Sequence, residues 1–217
     1  MTGRCISATD KHLPARVHGG NVPHRGRKFD PADRAHLDSD ARRAYLDPDA
    51  ILGAFGVGPG TALADIGAGT GFFAIPAAKR VGPAGRVYAL DLEPQMLDDL
   101  RAKADNDLGI ANISILRSEE ERIPLPHHSV DVAFLACVLH ELEGPGTLRE
   151  CARILKSTGH LAVVDWKKID QDIGPPMRHR LDETEARSFL KRSGFNPTRT
   201  FEAGRYHYGI ESRVGPA

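Results

Sequence analysis

From about residue 47 onward, short apolar and β-branched runs alternate with stretches whose apolar side chains return every three or four positions. An unbroken or alternating apolar run suits a strand, and a period near 3.6 suits a helix with one buried face. On that basis "TALADI" (61–66), "RVYALD" (86–91), "NISILRS" (112–118), "SVDVAFLACVL" (129–139) and "HLAVVDW" (160–166) predict five strands. The fourth is apolar enough to be buried on both faces. "FFAIPAAKRV" (72–81), "EPQMLDDLRAKADNDLG" (93–109), "TLRECARILK" (147–156) and "DETEARSFLKRSG" (182–194) predict helices. Their ends carry consistent signals. Pro76 and Pro94 fall in first turns, where a missing N–H does little harm, and Asp182 and Glu185 stand at capping-box spacing. Residues 195–202 and 206–213, joined by "AGR", predict a closing antiparallel pair. Strands alternating with helices make crossover units, so the expected class is α/β, a doubly wound, mostly parallel sheet.

Two N-terminal segments break this rhythm. Residues 29–57 carry helical turns interrupted by Pro31 and Pro48 and are too polar for a central strand. A helical segment beside the carboxyl edge of the sheet is expected there, with the main domain over 58–213. Residues 1–28 hold six Lys/Arg against Asp10 alone, of 29 basic and 29 acidic residues in the whole chain. That leaves 23 basic and 28 acidic groups over 29–217, so the leader and the domain differ in sign. The leader has neither interleaved aromatics nor an apolar helical stripe. A solvated, partly disordered tail is expected, not a nucleic-acid grip. At 217 residues, with 41% hydrophobic content, one core with an appendage is the natural organisation. Three cysteines without C-x-x-C spacing and no apolar run near ~20 residues predict free thiols, no membrane span and a cytoplasmic location. The pattern carries no information on oligomeric state.

The candidate chemistry begins at "ALADIGAGTGFF" (62–73), where Gly67, Gly69 and Gly71 occupy the turn after the first predicted strand. In a parallel sheet, ligands lie beyond the carboxyl ends of the strands, and missing Cβ atoms let backbone approach them closely. A dinucleotide fingerprint would need glycine where Phe72 stands, and no P-loop string occurs. No Lys or Arg lies beside the loop in sequence, and Asp65 would repel a pyrophosphate, so a ligand bearing a cation is expected. Asp91, at the end of the second strand, has the spacing at which a carboxylate meets ribose hydroxyls.

"LADIGAGTGFFAIPAA", Asp91, "ERIPLPHHSVDVAF" and "ECARILKSTGHLAVVDW" together resemble the class I S-adenosylmethionine-dependent methyltransferases. Among these the chain is most similar to the type 11 group, typified by enzymes of ubiquinone and menaquinone biosynthesis, over about residues 47–166. The resemblance implies a seven-stranded Rossmann-like sheet in the order 3-2-1-4-5-7-6, its last strand antiparallel, under an N-terminal helical lid that brings Phe29, Arg42, Arg43 and Tyr45 over the cofactor. It implies S-adenosyl-L-methionine as cofactor, with S-adenosyl-L-homocysteine as product. Asp65 would receive the methionine ammonium. Gly67, Ala68 and Gly69, with Gly71, would pass beneath the methionyl and ribose portions, and Asp91 would take the ribose. Leu92 and Met96 would pack on the adenine, Glu119 would meet its amino group, and Ala136 and Cys137 would face the sulfonium.

Methyl transfer of this kind is an in-line displacement that needs a base only when the nucleophile arrives protonated. His140, His207 and Tyr208 are the candidates for that role. The [DNS]-P-P-[YFW] run of nucleobase amine methylases is replaced by "LACVLHEL", and "HEL" is not H-E-x-x-H, so neither a nucleobase acceptor nor a metal is expected. Arsenite chemistry would need converging cysteines, which Cys5, Cys137 and Cys151 do not promise. The expected function is methyl transfer to a small-molecule oxygen, carbon or sulfur nucleophile. The alternatives are a non-catalytic module that binds the same nucleoside and, with the Phe72 mismatch against it, a nicotinamide-dependent oxidoreductase.

Overall fold

The computed structural model describes residues 37–107 and 109–215. The expectations for the basic leader, Cys5, Phe29 and Pro31 lie outside them. Five parallel strands form the body of the sheet: β1 (Ala62–Ile66), β2 (Arg86–Asp91), β3 (Ile113–Arg117), β4 (Val130–Ala136) and β5 (Leu155–Trp166). β6 (Phe195–Glu202) and β7 (His207–Val214) complete it in the order β3-β2-β1-β4-β5-β7-β6, with β7 antiparallel to both neighbours. This is the order that the resemblance implied, with the closing pair that the sequence pattern predicted. β1 is central, with Leu63 beside Val87 on one side and Val132 on the other. The carboxyl ends of β1, β2, β4 and β5 therefore converge on the edge that carries Asp65, Asp91, Cys137 and Trp166.

Helices α1 (Asp40–Tyr45), α2 (Pro48–Ala54), α3 (Ala74–Val81), α4 (Pro94–Asn106), α5 (Gly146–Ile154) and α6 (Glu183–Arg192) flank the sheet. Two apolar clusters cover its two faces. One joins Ile51, Leu52 and Phe55 to Phe73, Ala77, Val87 and Phe134, and the other joins Leu135 to Leu148, Ile154, Leu190 and Tyr208. The predicted capping box of α6 is present, Asp182 accepting from the Glu185 N–H and Glu185 from the Asp182 N–H, both at 2.8 Å.

Two boundaries differ from the sequence reading. The helix expected over 147–156 ends at Ile154, and β5 begins at Leu155, five residues early. Lys156 is held extended by its ion pair to Asp131 at 2.9 Å, and a Cβ on Gly159 would stand 2.9 Å from the Asp131 carbonyl. Within 29–57, α2 is part of the core rather than a cover. Asp47 caps it at 2.9 Å from the Asp49 N–H, and its Phe55 packs 5.0 Å from Phe201 and 6.0 Å from Phe134. Of the described residues of this segment, Asp38 and Arg42 reach over the glycine loop at the carboxyl edge.

Candidate functional site

After β1 the chain passes through Gly67, Gly69 and Gly71 at φ of 75°, 53° and 94° before α3 begins. These are left-handed conformations that side chains disfavour. At Gly67 a Cβ would also stand 2.6 Å from a Val138 methyl. Three contacts fix the loop to β2. The Gly67 and Ala68 N–H groups share the Leu90 carbonyl at 2.8 and 2.9 Å, and the Gly69 N–H donates to Asp91 Oδ2 at 2.8 Å. Asp91 Oδ1 accepts from the Glu93 N–H at 2.9 Å, while the N-cap of α4 is Glu93. Asp91 is thus an anchor of the glycine loop as well as a candidate ribose acceptor, a second role that sequence spacing did not reveal. The Leu92 N–H also donates to this carboxylate, which keeps only part of its acceptor capacity for a ligand.

Asp65 lies beneath this loop, 2% exposed, and its Oδ2 has no hydrogen-bond partner. Burial raises its pKa to about 7, the Asp91 carboxylate adds to the rise, and the Arg42 guanidinium opposes it. A buried carboxylate oxygen left unpaired is costly unless a ligand satisfies it. The same loop is covered from above. Thr70 donates to Asp38 at 2.8 Å, Lys103 pairs with Asp38 and donates to the Thr70 carbonyl at 2.8 Å, and Arg42 sits 4.2 Å over the Phe72 ring. Two cations, Lys103 and Arg42, are therefore close to the loop in space although neither is close in sequence. The expectation that it lacks basic neighbours is corrected by α1 and α4, which fold back on it. What still disfavours a pyrophosphate is Asp65 itself, together with the Gly69 amide already spent on a carboxylate.

At the end of β4, Ala136 is followed by Cys137 at φ 60°, a conformation uncommon outside glycine. The Cys137 N–H is fixed to the Val164 carbonyl at 2.7 Å. Burial, with Asp165 and Glu141, pushes its thiol to about 12 against the pull of Arg42, so it stays protonated at neutral pH. Cys151 lies in the α5-side core, and the described residues bring no cysteine cluster together.

A 3-10 turn over Leu139–Glu141 then presents His140 to the end of β5. His140 Nδ1 lies 2.7 Å from Asp165 Oδ1, and its backbone N–H donates to Oδ2 at 3.0 Å. The Trp166 N–H completes the grip on Asp165 Oδ1 at 2.7 Å. A carboxylate at Nδ1 fixes the tautomer, leaving Nε2 as the ring's proton acceptor. Nε2 stands 3.8 Å from Glu141. Burial alone would lower the His140 pKa, but the charge and hydrogen bond of Asp165, with Glu141, raise it overall. Asp165 is fully buried at the end of β5. The constraint that makes it a partner of His140 is three-dimensional.

Three expected site residues are not brought to this chemistry. His207 and Tyr208 are consecutive in β7, so they face opposite sides of the sheet. His207 is enclosed between Trp166, 4.1 Å away, and Tyr45, with neither ring nitrogen bonded. Burial holds its pKa near 3, so it is a poor proton acceptor. Tyr208 is fully buried, and its hydroxyl donates to the Leu181 carbonyl at 3.0 Å, away from the loop. Tyr208→Phe is expected to cost about 1 kcal/mol in a denaturant melt, the value of one buried hydrogen bond, and to leave the site intact. Glu119 stands at the expected end of β3, but its side chain is 76% exposed and its carboxylate lies 3.8 Å from Arg122. Its neighbour Ser118 is the buried one, with its N–H on the Asp91 carbonyl at 3.0 Å. Met96 is buried and Leu92 partly so, at the start of α4 beside Asp91.

A shallow groove of about 770 Å³ runs along α4, lined by Asp99, Lys103 and Asn106, and a hollow of about 270 Å³ lies between Glu120, Glu143 and Thr147. Lys103 joins the first to the glycine loop, but neither is lined by Asp65, Asp91 or His140. Among the described residues no helix is long and apolar enough to cross a membrane.

Residues 64–163 match the family described as "Methyltransferase domain". The crystal structure of a SAM dependent methyltransferase from Aquifex aeolicus superposes with a TM-score of 0.82 at 37% identity, covering 86% of this chain and all of that one. A ubiquinone/menaquinone biosynthesis C-methyltransferase from Ectopseudomonas mendocina is 32% identical over 159 residues, 72% of this chain and 59% of that protein. An arsenite methyltransferase from Halobacterium salinarum is 32% identical over 109 residues, 49% of this chain and 27% of that protein. The chain spans about half the length of the curated relatives it matches. On fold, glycine loop and relatives together, the chain belongs to the class I S-adenosylmethionine-dependent methyltransferases, in their type 11 group.

Proposed function

We propose that this chain transfers a methyl group from S-adenosyl-L-methionine to a small-molecule acceptor whose nucleophilic atom arrives protonated. The observation that carries the reading is the buried, unpaired Oδ2 of Asp65 beside three left-handed glycines. An anionic oxygen with no partner suits an ammonium and repels a phosphate. The residues fit the cofactor: Asp65 takes the α-ammonium, Asp91 takes the ribose hydroxyls, and Leu92 and Met96 lie where the base would pack. When bound, the cofactor supplies a sulfonium methyl whose leaving group is already activated.

The protein's own contribution is alignment, exclusion of water and a base. His140 Nε2 accepts the proton of the acceptor's O–H, S–H or acidic C–H, and the electron pair so freed becomes the nucleophile. Asp165 keeps Nδ1 protonated and stabilises the imidazolium, and the proton later passes to water. Cys137 contributes shape rather than a thiolate. The similarity to an enzyme of quinone biosynthesis supports a small organic acceptor, and carbon, oxygen and sulfur nucleophiles all suit a histidine base.

Incubation with methyl-labelled cofactor and a panel of phenols, enols and thiols tests this reading. Label should appear in at least one acceptor and vanish with His140→Ala. Firm nucleoside binding with no transfer to any acceptor class would favour a binding module. Asp91→Ala is expected to weaken S-adenosylhomocysteine about 10–100-fold by calorimetry, because hydrogen bonds to a charged group contribute about 1.5–3 kcal/mol. Part of that loss comes from the glycine loop, which gives up its Gly69 anchor.

A further inference from the structure

Arg180 is a buried cation that the chemistry above leaves unused. It lies in the connection between β5 and α6, 4% exposed, with its guanidinium 5.8 Å from the centre of the Trp166 ring. Its hydrogen bonds go to main-chain carbonyls of that same connection. Nε donates to Pro175 at 2.7 Å, Nη2 to Ile173 at 2.8 Å, and Nη1 to Ile169 at 3.0 Å and to Lys167 at 3.4 Å. Gln171 Nε2 shares the Ile173 carbonyl at 3.2 Å. Five N–H donors in a rigid fork suit such a staple, and a lysine could not span it. A guanidinium so engaged has little left for a ligand, so its task is to hold the chain.

What it holds lies against the support of His140. Gly174, inside the stapled span, has φ 82°, and a Cβ there would stand 2.8 Å from the Trp166 ring, so the backbone rests on the indole. Pro175 and Pro176 stiffen the span. The Trp166 N–H in turn donates to Asp165 Oδ1, the oxygen that meets His140 Nδ1. Staple, indole, carboxylate and imidazole are thus one contiguous set of contacts. We propose that Arg180 is a positioning residue for His140: by tying residues 167–175 onto Trp166, it fixes Asp165 and so the direction in which His140 Nε2 points. The inference rests on the reading of His140 as the base and adds the span that keeps it aligned. The charged groups that act on His140 are Asp165 from β5, Glu141 from its own turn and Arg180 from the connection. The first two favour imidazolium, and Arg180 opposes it. Removing Arg180 should therefore loosen the base and raise its pKa together.

Trp166 is the only tryptophan in the chain, so its emission reports the staple without an acceptor. In the full chain, Arg180→Met should shift that emission to the red and open the indole to acrylamide quenching. The His140 imidazole signals, assigned by their loss in His140→Ala, should titrate at higher pH. S-adenosylhomocysteine should still bind within about twofold, because its site is separate, and this shows that the variant is folded. With methyl-labelled cofactor and the phenol, enol or thiol of the panel that accepts label, kcat should fall about 10–100-fold, since a misplacement of ~1 Å can cost about 10²-fold. That loss should not multiply with the loss in His140→Ala, so the double variant should lie within about threefold of His140→Ala alone. Arg180→Lys, which keeps the charge but not the fork, should leave the titration in place and stay slow. Gly174→Ala pushes a Cβ into the indole while keeping Arg180. It should redden the emission and slow turnover in the same way, which tests the clamp should Arg180→Met fail to bind the nucleoside. Unchanged emission or an unmoved His140 titration in Arg180→Met, or losses that multiply in the double variant, overturn the role of Arg180 while His140 stands as base. If His140→Ala itself turns over normally, the base fails, and this inference with it.

Discussion

Replacing Asp65 with Asn is expected to weaken S-adenosylhomocysteine by at least about 30-fold at pH 8, because removing one partner of a buried charge pair costs about 2–5 kcal/mol. The same change should stabilise the ligand-free fold. Asp65 titrates near 7 when folded, against about 3.9 for an unperturbed aspartate. A carboxyl whose folded pKa is raised favours the folded state while protonated. It progressively destabilises that state as pH rises from the unfolded value to the folded one. The gap of about three units corresponds to a cost on the order of 4 kcal/mol above pH 7, which vanishes below about pH 4. Asp65→Asn should therefore raise the melting temperature at pH 8 and leave it nearly unchanged at pH 4. Binding carries the mirror image of this dependence. The ammonium needs the ionised carboxylate, so affinity should fall about tenfold per unit below pH 7, with one proton released on binding near pH 6. Calorimetry in buffers of different ionisation enthalpy reads that proton directly. A pH-independent affinity with no proton released would separate Asp65 from the ligand.

The second large effect is expected at His140. General-base catalysis contributes about 10²–10⁴-fold, so His140→Ala should lower kcat by that factor for acceptors that arrive protonated. Affinity for the nucleoside should not change, because Asp65, Gly69 and Asp91 form a separate set. The base works when neutral, and Asp165 with Glu141 raises its pKa. The acid limb of kcat should therefore lie above about 6.5, the ordinary histidine value. Asp165→Asn should move that limb downward as well as slow the reaction, since it removes the anion that favours imidazolium. An acceptor supplied already ionised should restore much of the His140→Ala rate. Unchanged turnover in His140→Ala with a protonated acceptor would rule out the base. His207→Ala, which alters an aromatic contact and no proton route, should affect stability more than the chemical step.

The division between what the chain's text disclosed and what it withheld has a physical basis. Strands, helices and the glycine turn follow from short-range periodicity and backbone freedom, so β1 to β4, the capping box and the Gly67–Gly71 loop were legible. The placement of Asp65 and Asp91 beside that loop was legible because they lie at the carboxyl ends of β1 and β2. The order of the strands came from resemblance, since pairing across the sheet joins residues such as Leu63 and Val132 that no local pattern links. Asp165 as the partner of His140 and Arg42 as a neighbour of Asp65 are likewise long-range facts. Each depends on an element folding back across the carboxyl edge. Consecutive strand residues face opposite ways, so His207 and Tyr208 could not both face one side of the sheet. Glu119 failed for another reason: a position at a strand end does not decide whether a long side chain turns inward or into water.

The account stands most directly on one titration, S-adenosylhomocysteine against NAD on the unaltered protein, repeated with Asp65→Asn. Saturable binding of the nucleoside at micromolar concentration, lost in the variant and absent for NAD, is the predicted result. No heat or shift with the nucleoside at millimolar concentration, or tighter binding of NAD, would contradict it.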